Sequence, residues 1–501
     1  MLIEAYDQLF IGGKWHAPSS DRKFAVYNPA TREVIAEVAE GDEQDVARAV
    51  AAARQAFEDG RWANMPATER TRLLFRLGDL IKSHAEELAR LECRNTGRPI
   101  REMMSQMSTI PEWFYYFGGM TDKIQGDTIP FRGNYLNYTL RVPVGVVGQI
   151  TPWNHPLRIL CKKLSAALAA GNTVVVKPSE FAPLTALELG HFCAAAGLPD
   201  GAVNIVPGFG ACAGAALVSH PGVAKIDLTG GTGTGRAVAR AAAENLARVT
   251  CELGGKAPVI FFEDVNLDEA VAGAMFAAFV ASGQSCVSGT RLLVHSSIYD
   301  GFLEALKERT RQLRMGNPLE PTTQIGPVIS QAQLDRIQHY VETGLQEGAK
   351  LLVGGNRPME PGLNRGYFYT PTVFYDVSND MTIAQEEIFG PVTVVIPFSS
   401  EDEVVRIAND VPYGLGASVW TNDIKRAHSV AHRLRTGVVW INDHHRTGPA
   451  APWGGFKLSG YGRENGFEAM LQYTEVRSVL VNLNREPFDW YSSTSFDRRL
   501  N

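Results

Sequence analysis

Cys286 stands in Gly283-Gln-Ser-Cys-Val-Ser-Gly-Thr-Arg291. Small residues on both sides let another backbone approach closely, and a helix would end at so Gly-rich a place. A thiol flanked by free backbone N–H groups can act as a nucleophile, because those donors can hold an oxyanion formed on its adduct. The competing reading is a buried structural cysteine, the commoner fate of a free thiol. Glu252 lies in Thr250-Cys-Glu-Leu-Gly-Gly-Lys256. A carboxylate placed before two glycines is held on a turn, where it could act as a general base for water; otherwise it is a surface acid paired with Lys256. Asn154 lies in Thr151-Pro-Trp-Asn-His-Pro156, where two prolines fix the loop and aim its amide. An amide N–H₂ can donate to an oxyanion, but it can also close an ordinary Asx-turn.

Two glycine signals accompany them. Leu228-Thr-Gly-Gly-Thr-Gly-Thr-Gly235 follows a strand and opens a helix, the context for phosphate binding at a helix N-terminus. Gly208-Phe-Gly-Ala-Cys-Ala213 fits G-x-G-x-x-A over a short stretch. Either could be a tight turn. Neither is a P-loop, since no Gly-Lys-Ser/Thr follows.

The elements that would position these groups change character along the chain. Phe10-Ile-Gly-Gly-Lys-Trp15 and Tyr27-Asn-Pro-Ala-Thr31 read as hairpin strands broken by turn residues. Val46, Val50, Ala53 and Phe57, then Leu73, Leu77, Leu80, Ile81, Leu88 and Leu91, recur at helical spacing. From about residue 143, β-rich runs (144–151, 173–177, 203–206, 224–229) alternate with helical stretches near 158–170, 182–196, 211–218 and 235–247. A second series runs from 257–262 through 291–295, 392–398, 417–420 and 438–441. Its helices are expected near 301–314, 330–347, 401–409 and 423–435. Such alternation predicts parallel sheets with helices on both faces, an α/β fold. A boundary is expected near 249–256, and Gly126 to Arg141 reads as a projecting hairpin.

Composition narrows the function classes. The chain has 501 residues, with 48 Lys+Arg against 54 Asp+Glu, and its net charge of −6 gives no bulk attraction for nucleic acid. The longest apolar run, Ala270 to Ala281, is twelve residues, short of the ~20 of a membrane span, and reads as a buried helix. No signal-peptide pattern opens the sequence, which favours the cytoplasm. The six cysteines form no C-x-x-C pair, so reduced thiols are expected and no metal site is indicated.

Taken together, the pieces resemble the aldehyde dehydrogenase superfamily, hydrolytic branch, over nearly the whole chain. The resemblance is carried, in family order, by Asn28-Pro-Ala-Thr31, Thr151-Pro-Trp-Asn154, Lys177-Pro-Ser-Glu180, Leu228-Thr-Gly-Gly231, Glu252-Leu-Gly-Gly-Lys256 and Gly283-Gln-Ser-Cys286. It continues through Glu386-Glu-Ile-Phe-Gly-Pro391, Asn409-Asp-Val-Pro-Tyr-Gly-Leu415 and Pro452-Trp-Gly-Gly-Phe-Lys457. It implies that Cys286 is the nucleophile, that Asn154 and the Cys286 N–H form the oxyanion hole, and that Glu252 activates water. It implies NAD rather than NADP, because a carboxylate at Glu180 would repel a 2′-phosphate. The implied cofactor residues are Thr151, Pro152, Trp153, Lys177, Ser179, Glu180, Gly210, Gly230, Gly231, Thr234, Leu253, Glu387 and Phe389. Two departures stand out: the family often has Phe where Leu228 stands and Ser where Gly231 stands. Glu252 also separates the chain from the CoA-acylating branch.

The resemblance further implies a Rossmann-like cofactor domain (1–125 and 142–251), an α/β catalytic domain (252–455) and a small β oligomerisation element (126–141 and 456–501), hence a homodimer or homotetramer. Its substrate pocket would hold His155, Lys162, Ser285, Val287, His444, His445 and Trp453. Lys162, His444, His445 and Arg446 together suggest an acidic or hydroxylated aldehyde, such as a semialdehyde carrying a second carboxylate; the alternative has Lys162 and Arg446 pointing outward. A trimethylammonium aldehyde, as in a betaine-type enzyme, would meet like charge, although Trp453 could offer cation–π contact. A broad-specificity aliphatic or aromatic enzyme is the other alternative. A thiol esterase, or a non-catalytic binding protein on the same fold, would use the same residues differently.

Overall fold

The computed structural model describes residues 5–485 together with Leu2, Trp490 and Tyr491. Residues 492–501, most of the Ser- and Arg-rich tail to which the sequence assigns no role, lie outside the described residues.

The first sheet has eight strands. Its centre is parallel, in the spatial order Val203–Ile205, Thr173–Lys177, Val146–Ile150, Lys225–Thr229, Arg248–Glu252. Thr173–Lys177 is buried along its whole length, as a Val-rich central strand covered on both faces must be. The chain enters this centre at Val146–Ile150 and winds outward in both directions. The strand order therefore reverses between Val146–Ile150 and Lys225–Thr229, which opens a crevice at their carboxyl ends. Thr151 to Asn154 leaves one side of the reversal and Gly230-Gly231 leaves the other.

The second sheet has seven strands in the order Lys350–Val353, Thr372–Tyr375, Val392–Phe398, Arg291–His295, Pro258–Phe261, Gly416–Trp420, Val438–Ile441. All its neighbours are parallel except the first pair. A third sheet pairs Thr474–Asn482 with Tyr135–Pro143 in an unbroken antiparallel register, with Thr128–Ile129 on the other edge. The observed fold class is the expected one: a Rossmann-like sheet, a second α/β sheet and a small β element.

Several local expectations shift. The run Ala270 to Ala281 is not one helix: Leu267–Phe279 ends, and Ala281, Ser282 and Gly283 then take left-handed φ values of 57°, 54° and 71°. The helix expected near 235–247 starts at Thr232 and ends at Ala243, because Gly231 caps it and its first turn needs no apolar residue. The stretch expected near 211–218 opens with a π-helical turn, Gly210–Gly214, before Ala215–Ser219. Gly460–Tyr461, in the segment assigned to oligomerisation, pairs instead with Cys251 and Glu252 on the edge of the first sheet.

Candidate active site

Glu252 ends the strand Arg248–Glu252, and the chain then crosses in five residues to Pro258–Phe261 of the second sheet. Glycines make the crossing possible. A Cβ on Gly255 would lie 2.4 Å from the carbonyl oxygen of Cys286, and one on Gly254 would lie 2.2 Å from Glu387 Oε2. Three loops thus converge. The Gly255 N–H donates to Glu387 Oε1 at 3.0 Å, and Ser459 Oγ donates to the Gly254 carbonyl at 2.7 Å.

The left-handed turn at Ala281 to Gly283 delivers Cys286. Its strain is offset by hydrogen bonds from the Ala281 N–H to both Glu102 carboxylate oxygens at 3.2 Å and from Ser282 Oγ to the Gly326 carbonyl at 2.8 Å. A Cβ on Gly283 would meet the Gly390 carbonyl oxygen at 2.0 Å, so no other residue fits there. Asn154 Nδ2 donates to the Gln284 carbonyl at 2.9 Å, which leaves its second N–H free. Among the described residues the Cys286 N–H has no hydrogen-bond partner. The Asx-turn alternative for Asn154 and the surface-acid alternative for Glu252 both fall away: Asn154 reaches across to another loop, and Glu252 is buried with neither carboxylate oxygen hydrogen-bonded.

Cys286 packs with Val287, Leu415 and Trp440, beside Val438 and Trp453. Burial, then the nearby negative charge of Glu387, pushes its thiol up to about 12, against the pull of Lys162. The resting sulfur is therefore protonated. Glu252 is likewise raised, to about 8, first by burial and then by the charge of Glu464. Burial would raise Glu464 as well, but Lys162 and Lys163 outweigh it and hold it far below the usual carboxylate range. Lys163 bridges Glu464 and Asp227 in full burial.

On the crevice side, the Thr151 to Asn154 loop carries Trp153, whose ring meets Phe389 edge-on with centroids 5.3 Å apart. Phe389 has φ 62°, a strained value that aims the ring. Lys177 Nζ pairs with Glu180 at 3.1 Å; Ser179 and Leu253 are buried beside these loops. Gly210, Gly231 and Gly233 would each carry a Cβ into open space. Gly230, Gly231 and Thr234 flank the N-terminus of Thr232–Ala243, whose first turn contains no acid and no side-chain cap. Burial, opposed by the Gly255 N–H, lifts Glu387 to about 7.

The basic pocket expected from Lys162, His444, His445 and Arg446 takes another form. Lys162 is ion-paired with Glu464, and its ammonium lies 4.8 Å from the Trp453 ring centroid. His444 Nε2 donates to the Val287 carbonyl at 2.7 Å and His445 Nε2 to the Ala277 carbonyl at 3.1 Å. Burial pulls His444 down to about 4 and His445 well below the imidazole range, so both are neutral. Arg446 extends into solvent with its side chain 84% exposed, against Asp443. His155 Nδ1 lies 2.7 Å from Gln106 Oε1 and 2.6 Å from Arg98 Nη1. Ser285 is buried and its carbonyl closes a turn with the Ser288 N–H at 3.0 Å.

Sequence reasoning missed Arg158 and Glu464. Arg158 falls between His155 and Lys162 at i+3 and i+7, a helical-face spacing already legible in the chain. Glu464 had no local signal; two lysines from a distant helix single it out.

A doubly wound sheet whose strand ends face a half-buried thiol is the frame of an enzyme that joins a nucleotide to a covalent step. The aldehyde dehydrogenase family profile matches residues 15–479, and the chain belongs to that family. It is 44% identical to the betaine aldehyde dehydrogenase of Bacillus subtilis, over 97% of this chain and 99% of that one. It is 47% identical to aldehyde dehydrogenase 1A1 of Ovis aries, over 96% of each. Among solved structures it is similar to the NAD+ complex of aldehyde dehydrogenase from Bacillus cereus, with TM-score 0.94, 46% identity, and 96% and 98% of the two chains covered. It is also similar to the NAD+ complex of betaine aldehyde dehydrogenase from Staphylococcus aureus, with TM-score 0.96, 39% identity, and 98% and 97% covered. The protein is thus an aldehyde-oxidising enzyme. Among the described residues no helix is long and apolar enough to cross a membrane.

Proposed function

We propose that the protein oxidises an aldehyde to its carboxylic acid with NAD, using Cys286 as nucleophile, Asn154 and the Cys286 N–H as oxyanion donors, and Glu252 as the base for water. The observation that carries this reading is the meeting of Gly255 with the Cys286 carbonyl, which sets the thiol and the unpaired Glu252 carboxyl in one water-poor crevice.

The residues fit a dinucleotide. The glycines that open into space at 210, 231 and 233 let a pyrophosphate approach backbone N–H groups, and the helix Thr232–Ala243 presents its positive end there. Lys177 and Glu180 would hold the adenosine ribose, and Glu387, with Phe389 and Trp153 beside it, the nicotinamide side. Glu180 favours NAD over NADP through repulsion of a 2′-phosphate. When bound, NAD supplies the acceptor for the hydride that leaves the substrate carbon.

The chain's own groups do the rest. Cys286 Sγ adds to the aldehyde carbon as its proton leaves to a base. Charge then gathers on the carbonyl oxygen, where Asn154 Nδ2–H and the Cys286 N–H stabilise it. Loss of hydride leaves a thioester on Cys286. Glu252 takes a proton from water, whose oxygen adds to the thioester carbon; the C–S bond breaks, the acid departs and the sulfur regains a proton.

The two large sheets divide cofactor and thiol between them in this reading. The exposed residues Leu136, Leu140, Val476 and Leu480 on the third sheet support a homo-oligomer formed through it, and the six free cysteines suit a reducing cytoplasm. Adding NAD and a panel of aldehydes tests the whole: NADH and acid should form in equal amounts, and Cys286→Ala should form neither. Ester hydrolysis without NADH formation would point to a thiol esterase and refute the dehydrogenase reading.

A further inference from the structure

The substrate side of the site holds several cations, and all but one are spoken for. Arg98 pairs with Glu102 at 2.9 Å and donates to the Gln106 side chain and the Asn154 carbonyl. Lys162 pairs with Glu464. His444 and His445 are neutral donors to backbone carbonyls. Arg158 differs. Its guanidinium lies 5.4 Å from the Trp113 ring centroid, and among the described residues it has no hydrogen-bond or ion-pair partner.

Its place in the fold sets it on the helix that follows the Asn154 loop. Arg158 sits in the first turn of Pro156–Ala169, which begins two residues after Asn154. It shares a helix face with Lys162, one turn on, and Lys162 lies against Trp453, which packs on the same Val287, Leu415 and Trp440 cluster as Cys286. Its charge is felt at Cys286, at His155 and at His445. Burial and the neighbouring Arg98 bring its pKa down to about 10 against the opposing charges of Cys286 and Glu112, which still leaves it charged at neutral pH. Trp113 itself is fixed, since its Nε1 donates to Asn465 Oδ1 at 2.8 Å. A guanidinium whose carbon lies over an anchored ring at 5.4 Å, with no hydrogen-bond partner among the described residues, has donors to offer a planar anion.

We infer that Arg158 is the substrate-reading residue of this site and that it binds a carboxylate carried by the aldehyde at the end remote from the carbonyl. The inference rests on the reading of Cys286 as nucleophile, and it moves the acid-recognising charge from Lys162 and Arg446 to Arg158. The same guanidinium disfavours a trimethylammonium aldehyde, which would bring a second fixed positive charge beside it.

The test compares ω-carboxy aldehydes of four to six carbons, succinate semialdehyde among them, with n-alkanals of matched length. The native enzyme should show higher kcat/KM for at least one acid aldehyde than for its matched alkanal. Arg158→Met should lower that value by about 10- to 100-fold, the worth of a charge-assisted hydrogen bond. The change should fall mainly on KM for the acid aldehyde and clearly exceed any change for the matched alkanal. Arg158→Lys should recover part of the preference. A ratio of acid to alkanal that Arg158→Met leaves unmoved, or a loss shared equally by both substrates, overturns the inference. A second arm needs no turnover: Cys286→Ala should bind glutarate in calorimetry, and Cys286→Ala/Arg158→Met should not. Equal binding by both also overturns it. If the native enzyme oxidises neither class of aldehyde, the proposed function fails, and the glutarate arm still decides the role of Arg158.

Discussion

Asn154 Nδ2 donates to the carbonyl oxygen of Gln284 at 2.9 Å, tying the loop that leaves the first sheet to the loop that carries the thiol of the second. One N–H of the amide holds the two halves together, and the other, without a partner among the described residues, is the one the proposed mechanism gives to the substrate oxygen. Replacing Asn154 with Ala should therefore remove an oxyanion donor and a cross-sheet tie at once. The expected loss in kcat is roughly 100- to 1,000-fold. Alkylation of Cys286 by iodoacetamide should continue in the variant, and its complete loss would show instead that the thiol loop had collapsed.

In the proposed mechanism Glu252 sets the pH profile. A carboxyl acts as a base only when ionised, and burial together with Glu464 raises this one above its ordinary value. Turnover limited by thioester hydrolysis should thus rise as the pH climbs from about 6 to 9, not fall. Glu252→Gln should flatten that rise and slow hydrolysis by roughly 100-fold or more. A burst of NADH, one per site, should remain, because acylation precedes the step that Glu252 serves. Rapid-mixing absorbance at the NADH band reads both.

Glu464 and Lys163 make a stability prediction. The carboxyl of Glu464 has a folded pKa below its unfolded value. It therefore stabilises the fold above the unfolded pKa, and that contribution fades as the pH falls through the folded one. Lys163 is raised, so its contribution is present below the ordinary ammonium pKa and is lost only in strong alkali. Lys163→Met leaves Asp227 and Glu464 short of a counter-charge in full burial, at a cost of roughly 3–5 kcal/mol. Urea unfolding at neutral pH should show that loss, and at pH near 3 the difference between native and variant should shrink. A constant difference at both pH values would contradict the assignment.

Gly255→Ala separates geometry from stability. Its new Cβ would sit 2.4 Å from the Cys286 carbonyl, so one of two backbones must move. A shift of an ångström at the thiol is worth about 100-fold in rate. The variant should keep most of its thermal stability while losing that activity; activity near the native level would mean the loops are looser than their spacing indicates.

The strand and helix alternation, and with it the order of elements along both sheets, was legible locally because buried parallel strands are short β-branched runs and their helices repeat every 3.6 residues. The thiol, the amide and the carboxylate could also be singled out, since Gly and Pro around each announce a loop held for close approach. Charge was not legible in the same way. Lys162 looked like a free cation and Arg158 went unremarked, because the sequence does not say that Glu464, some three hundred residues away, pairs with the one and that the other has no ion pair among the described residues. Nor could it place Gly460–Tyr461 on the first sheet, since a two-residue strand has no period of its own. Local residue types determined which groups are present in this protein and which elements carry them. Which of those groups are paired, which are desolvated and which are left facing the substrate was decided only when distant segments packed, because an ion pair and a pKa depend on distances through space that no spacing along the chain contains.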